Sequence, residues 1–429
     1  MIKLNILFYR CISLLFVFFV QLSEAAEYKF HGIVDLRASS ADSLDNGYVA
    51  GGQGKFGVSD GQQLHVAQAG MDISAQWDNG FSVHGVLNSY LDQEDSAAGI
   101  TEAYVKYRSI PNELGYRFQV KSGIFYPEIS LENNAFAWAS KESLNSSTLN
   151  TWIGEEIRVL GSELKITRLG RINNDAYDLS FSATAFVSND PSGALLAWHG
   201  WTMSSRQTLW GEARAFPWLP AQAEGEELSA QADKSEPFLE IDDDIGYHLR
   251  GEWSLHNKIE LSAGYYNNKA TPYDVTNGQY GWRTRFYHLG MSWNASRNVS
   301  VIAQYLSGDT LMQSSPGIDV VNNKYSNAFV AITYKWQDFP WGDKSRNRKH
   351  KSTVRLEDFS VTDNDDTWGD NNYEKGQAFT LNHTYRFSRH WFISAEFNYI
   401  DSQRPARIYS DNSTDIVEKQ IQLSARYFF

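Results

Sequence analysis

The chain has 429 residues, 42% of them hydrophobic and 14% aromatic, with a formal charge of −13 and a mean hydropathy of −0.44. An acidic chain is a poor nucleic-acid ligand, and beyond the first 25 residues no apolar run is long enough for a membrane-spanning helix. What remains open is a large β-fold in which only every second strand residue is apolar.

Residues 1–25 read as a secretory signal peptide. Lys3 and Arg10 charge its start, residues 12–20 are apolar except Ser13, and Ser23-Glu24-Ala25 offers small residues for cleavage after Ala25. The apolar run is short for a membrane anchor. Cys11 is the sole cysteine and leaves with the leader; Phe8-Tyr9-Arg10 before it is unlike a lipid-attachment site. Losing two bases and one acid with the leader takes the charge from −13 to −14. Residues 26–429 are expected to form one domain without a thiol, which suits passage through an oxidising compartment.

Sixteen stretches then alternate apolar and polar residues with the period of a strand. They are 28–38, 64–77, 81–91, 100–108, 116–124, 155–169, 177–187 and 245–253, followed by 259–267, 282–293, 299–307, 326–337, 351–362, 377–387, 391–400 and 419–429. The links between them are short and long in turn. Asp78-Asn79-Gly80 is a tight turn of residues that tolerate positive φ. Other short links are 109–115, 170–176, 254–258, 294–298 and 388–390, with 338–350 less sharp. The long ones are 39–63, 92–99, 125–154, 188–244, 268–281, 308–325, 363–376 and 401–418. A soluble sandwich has no reason to keep this asymmetry, whereas a transmembrane barrel has tight turns at one end and long loops at the other. The fold expected is an all-β, antiparallel, transmembrane β-barrel.

Aromatic residues cluster at strand ends. Trp77, Phe81, Trp253, Trp293, Trp336, Trp341, Phe387 and Trp391 lie beside short links, and Tyr90, Trp282, Tyr305, Tyr325 and Tyr399 toward long ones. Rings at both membrane interfaces would give this pattern, although aromatics are also common in strands generally.

In residues 67–77, Ala67, Ala69, Met71, Ile73, Ala75 and Trp77 share one parity, and Gln68, Asp72, Ser74 and Gln76 the other. The polar parity must face inward, because a charge on the lipid face costs about 2–4 kcal/mol at midplane. The inward parity brings Lys106, Arg108, Arg117, Lys121 and Arg158 onto three consecutive strands as a pore-lining basic wall, to which Lys29, Arg37 and Arg250 could add. Local pairing with Glu102, Glu156, Asp35 or Glu252 is the alternative. A barrel this wide is expected to leave an aqueous channel.

The third long loop, 125–154, is too apolar for water. Ile129, Leu131, Phe136, Trp138 and Trp152 need burial, and folding into the mouth would supply it and narrow the channel. Glu128, Glu132 and Glu142 would then face the basic wall, with Lys141 between them. The fourth loop, 188–244, mixes apolar segments, 194–198 and 216–220, with an acidic remainder ending Asp242-Asp243-Asp244. Its apolar parts would pack over the mouth or on a neighbouring subunit. Its acids would be solvated or, alternatively, hold a divalent cation.

Enzyme signatures fail. Gly57-Val58-Ser59-Asp60-Gly61 has the nucleophile-elbow spacing but sits between two strands rather than at a strand-to-helix turn. Gly51-Gly52-Gln53-Gly54-Lys55 lacks the hydroxyl and spacing of a phosphate-binding loop. The histidines, including His84, His248, His288 and His383 in strands, show no compact metal-ligand spacing. No catalytic residue, metal site or cofactor is expected.

The chain ends Gln-Ile-Gln-Leu-Ser-Ala-Arg-Tyr-Phe-Phe. Ile421, Leu423, Ala425, Tyr427 and Phe429 share a face, with Phe428 breaking the alternation. A soluble β-protein could end on such a strand too. This terminus resembles the C-terminal signal of Gram-negative outer-membrane barrels, and leader, strand number and terminal Phe429 together resemble the porin family over the whole chain. The run from Gly123 to Glu132, Gly-Ile-Phe-Tyr-Pro-Glu-Ile-Ser-Leu-Glu, is similar to the third-loop region of the phosphate-selective porin family. That family lines its constriction with arginines and lysines, whereas this loop offers Lys141 beside three glutamates. The resemblance implies a location in the outer membrane among lipid and lipopolysaccharide, reached through the periplasm. It also implies insertion by the barrel assembly machinery reading Phe429, and a homotrimer. The function expected is passive diffusion of small hydrophilic solutes and ions through a constricted aqueous barrel; the alternative is a specific channel for an anion such as phosphate or for an oligosaccharide.

Overall fold

The computed structural model describes residues 26–91, 97–256, 258–336 and 349–429. These form a closed antiparallel barrel of sixteen strands, each paired with its neighbours in sequence. In chain order the strands are β1 (Glu27–Asp42), β2 (Gly61–Gln76), β3 (Phe81–Leu91), β4 (Ala97–Arg108), β5 (Tyr116–Phe125), β6 (Val159–Arg168), β7 (Asp178–Val187) and β8 (Gly246–Leu255). They continue as β9 (Ile259–Asn267), β10 (Arg283–Trp293), β11 (Val299–Ser315), β12 (Ile318–Trp336), β13 (His350–Asp363), β14 (Glu374–Arg386), β15 (Trp391–Gln403) and β16 (Asp415–Phe428). β16 closes on β1 in a register running from Ile33 opposite Phe428 to Asp42 opposite Lys419, so the barrel sheet closes on itself without a free edge strand among the described residues.

Alternation places the side chains. On β16, Ile421 and Leu423 are 55% and 57% exposed on the outer wall, while Gln420, Gln422 and Ser424 are buried inside. Leu36, Phe181, Leu289, Val330, Ile332, Leu356 and Leu381 continue the outer apolar band. At the short-turn end rings meet in pairs, Phe81 with Tyr107 at 4.9 Å and Trp391 with Tyr427 at 4.9 Å. Phe428, the residue out of pattern, points inward and packs with Ile33, Val86 and Ala137.

Four expectations need correction. The sixth strand does not begin at residue 155: α1 (Thr148–Glu156) occupies that stretch, capped by the Ser147 side chain accepting from Asn150 N. The link 308–325 is not a loop, because β11 and β12 run on past it to a tight turn at Pro316-Gly317, with Gly317 at φ 84°. Polarity misled here, since strand residues beyond the hydrocarbon no longer alternate by solvent. Trp77 is buried rather than exposed at the interface. Tyr90, Trp282 and Tyr325 are buried too, against loops rather than lipid: Trp282 meets Trp198 at 5.0 Å and Tyr325 meets Trp152 at 5.4 Å. The leader, Trp341 and most of the links 92–99 and 338–350 lie outside the described residues.

The lumen also departs from an open channel along its whole length. At the long-loop end it is packed. Trp152 of α1 sits among Phe286, Tyr325 and Trp201 at 5.4, 5.4 and 5.8 Å. Phe125, Ile129, Leu149, Ile153, Phe329 and Phe359 belong to the same buried cluster. Several of these are inward residues of β10, β12 and β13, so the barrel wall presents apolar surface to an apolar loop. The fourth loop covers this plug: α2 (Ala194–His199) packs Trp198 on Phe216 at 4.5 Å, with Leu219, Val320 and Val321 around it.

Candidate functional site in the lumen

The third loop is held by charged side chains of the opposite wall rather than by its own strands. Its backbone between Ser140 and Thr148 has no ladder to join, and buried peptide groups need partners. Arg355 on β13 donates to Asn145 O at 3.1 Å and Ser146 O at 3.0 Å. Arg426 on β16 donates to Ser140 O and Ser143 O, at 3.1 and 3.2 Å. Arg37 on β1 donates to Leu144 O at 3.1 Å. In the other direction, Glu396 on β15 accepts from Leu144 N and Asn145 N, at 2.5 and 2.9 Å. Glu357 accepts from Thr148 N at 2.7 Å. Most of these groups are themselves ion-paired: Arg355 with Glu357 and Glu132 at 2.7 and 2.5 Å, and Asp35 with both Arg37 and Arg426 at 2.7 Å. Charge-assisted bonds of this kind are the stronger class.

The named loop acids thus have specific partners. Glu132 meets Arg355, Glu142 meets Lys351 at 3.5 Å, and Glu128 meets Lys165 and Arg250 at 2.7 and 3.1 Å. Lys141 accepts through its carbonyl from Lys351. The expected basic wall divides. Lys121 is buried and paired with Glu163 at 3.3 Å, over the Phe125 ring. Arg158 lies just before β6, fully buried, donating to Thr208 O and the Tyr126 hydroxyl. Arg108 and Arg117 line a cavity of about 280 Å³ with Lys165, Glu128, Asp178 and Glu252; Lys106 is partly buried on the same inward face of β4. Lys29 pairs with Glu27 near the short-turn end, Arg37 is buried in the clamp, and Arg250 meets Glu128, Glu252 and Glu260.

Beneath the loop, toward the short-turn end, the lumen opens into a vestibule. One part, about 380 Å³, is lined by Glu102, Glu128, Glu252 and Glu260, with Arg250 the one base among the described residues. Another, about 670 Å³, is lined by Lys141, Lys335, Lys351, Arg389 and Arg426 against Asp72 and Glu142. Phe136, Phe392 and Phe428 complete that second part. Asn134 of the loop lines both. The larger part of the vestibule thus takes its bases from the loop and β12–β16, while Arg108, Arg117 and Lys165 of β4–β6 line the separate cavity of about 280 Å³.

Sequence reasoning missed Lys335, Lys351, Arg355, Glu357, Glu396 and Arg426. The signal was present in β13, where Lys351, Arg355 and Glu357 occupy inward positions on one strand. In the fourth loop the Asp190, Glu240 and Asp242 carboxylates come within 4.8 Å of one another. Backbone N–H groups already take them up: Ile241 donates to Asp190 and Ser188 to Glu240, both at 2.5 Å. Burial, then Glu240, pushes Asp190 up to about 8.

No protein-family model and no curated protein matches the chain. Solved structures match its fold. The outer membrane channel DcaP of Acinetobacter baumannii is similar at TM-score 0.54 and 14% identity, over 94% of this chain and 98% of that one. Salmonella typhi OmpF, in complex with daunomycin, is similar at 0.50 and 14%, over 94% and 98%. The anion-selective porin from Comamonas acidovorans is similar at 0.50 and 11%, over 94% and 100%.

Proposed function

We propose that the chain is an outer-membrane porin: a water-filled barrel that passes small hydrophilic solutes and ions passively, narrowed by an inward-folded third loop. The observation that carries this reading is the vestibule. A closed barrel with an apolar outer band has no reason to keep opposed acidic and basic linings inside unless water and charged solutes reach them, and such linings select permeants by charge. In this reading the short turns face the periplasm and the long loops the exterior. The packed outer half makes the passage narrow and ties its width to how firmly the third loop is clamped. A homotrimer and delivery by the assembly machinery through Phe429 belong to the same proposal.

A second reading, a channel specific for an anion, is favoured by the cavity of about 670 Å³ with five bases, two acids and three phenylalanines. Reversal potential across a salt gradient separates the two. A weak ion preference fits general diffusion, whereas a strong anion preference, with current blocked by one anion, fits the specific channel. Absence of any stepwise current from the purified protein counts against both.

A further inference from the structure

The long-loop end holds a cavity formed by loops rather than by the barrel wall. It has a volume of about 210 Å³ and is lined by Asp45, Asn46 and Gln53 of the first loop, Trp218 of the fourth, and Ser410 and Asn412 of the last. Three loops distant in sequence meet there.

Trp218 is 59% exposed although Phe216 and Leu219 beside it are buried. Pro217 and Pro220 bracket it and restrict the backbone, so the indole is held outward on a stiff segment. Trp368 is 66% exposed on the adjoining loop, whose Gly369 O accepts from Ala221 N at 3.4 Å. Both indoles lie in loops, beyond the strand ends where an interfacial girdle would use them. Gln53 is 3% exposed, and neither its Nε2 nor its Oε1 has a hydrogen-bond partner among the described residues. Buried amides are ordinarily hydrogen-bonded at both ends. A vacant donor and a vacant acceptor side by side suit a ligand group that can both accept and donate, as a hydroxyl does.

We propose that this cavity binds a sugar ring. A pyranose offers an apolar C–H face to stack on Trp218 and a rim of hydroxyls for Asp45, Asn46, Gln53, Ser410 and Asn412. Among the described residues no lysine or arginine lines the cavity, which disfavours an anion. One carboxylate, Asp45, is too few for a hard cation. Two sources share this chemistry: a soluble oligosaccharide outside the cell, or the saccharide of outer-leaflet lipopolysaccharide. The inference rests on the outer-membrane placement proposed above, with the long loops outward, but not on conduction.

The test is isothermal titration of the intact, detergent-solubilised barrel with maltotriose and, separately, with a deacylated lipopolysaccharide core oligosaccharide. Saturable binding of either is expected. Trp218→Ala should weaken it about tenfold or more, Gln53→Ala should weaken it too, and Trp218→Phe should restore most of it. Binding of maltotriose alone assigns a soluble ligand, and binding of the core oligosaccharide alone assigns the membrane's own saccharide. Heat-resistant electrophoretic mobility of each variant shows that the barrel has folded. Failure of both probes to bind the wild-type protein, or binding unaltered in Trp218→Ala, overturns the proposal.

Discussion

Replacing Arg355 with alanine should release the third loop while leaving the barrel folded. Arg355 is 1% exposed and is the shared partner of Glu132 and Glu357, both buried. It also donates to Asn145 O, Ser146 O and Thr380 Oγ1. Removing one member of a buried ion pair costs about 3–5 kcal/mol, because the other charge is left uncompensated. Here two carboxylates lose the same cation but keep other donors, Ser147 N and Asn150 for Glu132 and Thr148 for Glu357, which holds the cost toward the lower end. About 3 kcal/mol shifts the ratio of open to clamped loop more than a hundredfold. The ladders on either side of β13 have twelve and fourteen paired positions and do not use the guanidinium. Hydrogen exchange should therefore speed up across residues 140–148 while strand amides keep their protection. Channel conductance should rise in parallel. Adding Glu132→Gln to Arg355→Met should cost less than the two changes separately. Wild-type exchange rates in the loop of Arg355→Ala would refute the clamp.

Other perturbations test other parts. Lys335→Glu with Arg389→Glu reverses two charges of the vestibule's basic side and should move the reversal potential toward cations, by about fivefold in permeability ratio if together they contribute on the order of 1 kcal/mol; an unmoved potential would remove that wall from the ion path. A Cβ at Gly32 would collide with the Phe429 ring beside the closing seam. Phe429 is half-exposed and its ring can swing aside, so Gly32→Ala should cost under about 1 kcal/mol and leave the yield of folded barrel nearly unchanged; a large loss of yield would show that the ring is held in place at the seam. Burial pushes Asp370 up from 3.8 to about 7 and, with Glu240, Asp190 to about 8. Folding holds these protons, so the loop cap is most stable below pH ~4 and loses stability as pH rises toward ~8. Protease cleavage within 188–244 should accelerate from pH 5 to pH 8, once corrected for the protease's own pH profile; a flat rate would contradict it.

Strand number and order were legible because alternation and unequal links are written directly in the order of residues. The inward folding of the third loop was legible from Ile129, Leu131, Trp138 and Trp152, which had nowhere else to go. Its anchoring was not. Which wall receives a loop depends on barrel curvature, and the partners of residues 140–148 come from β1, β13, β15 and β16, more than a hundred residues away. The hairpin at Pro316-Gly317 escaped because strands standing beyond the membrane carry no lipid-facing parity. Tyr325 and Phe329 escaped for the converse reason: an apolar inward parity looks like an error until the plug it packs against is known.

The central claim is that a narrow aqueous path runs through this barrel. Planar-bilayer recording of the purified native chain tests it most directly. Small, discrete current steps are the result expected. A bilayer that stays silent, with the folded barrel demonstrably inserted, would contradict it.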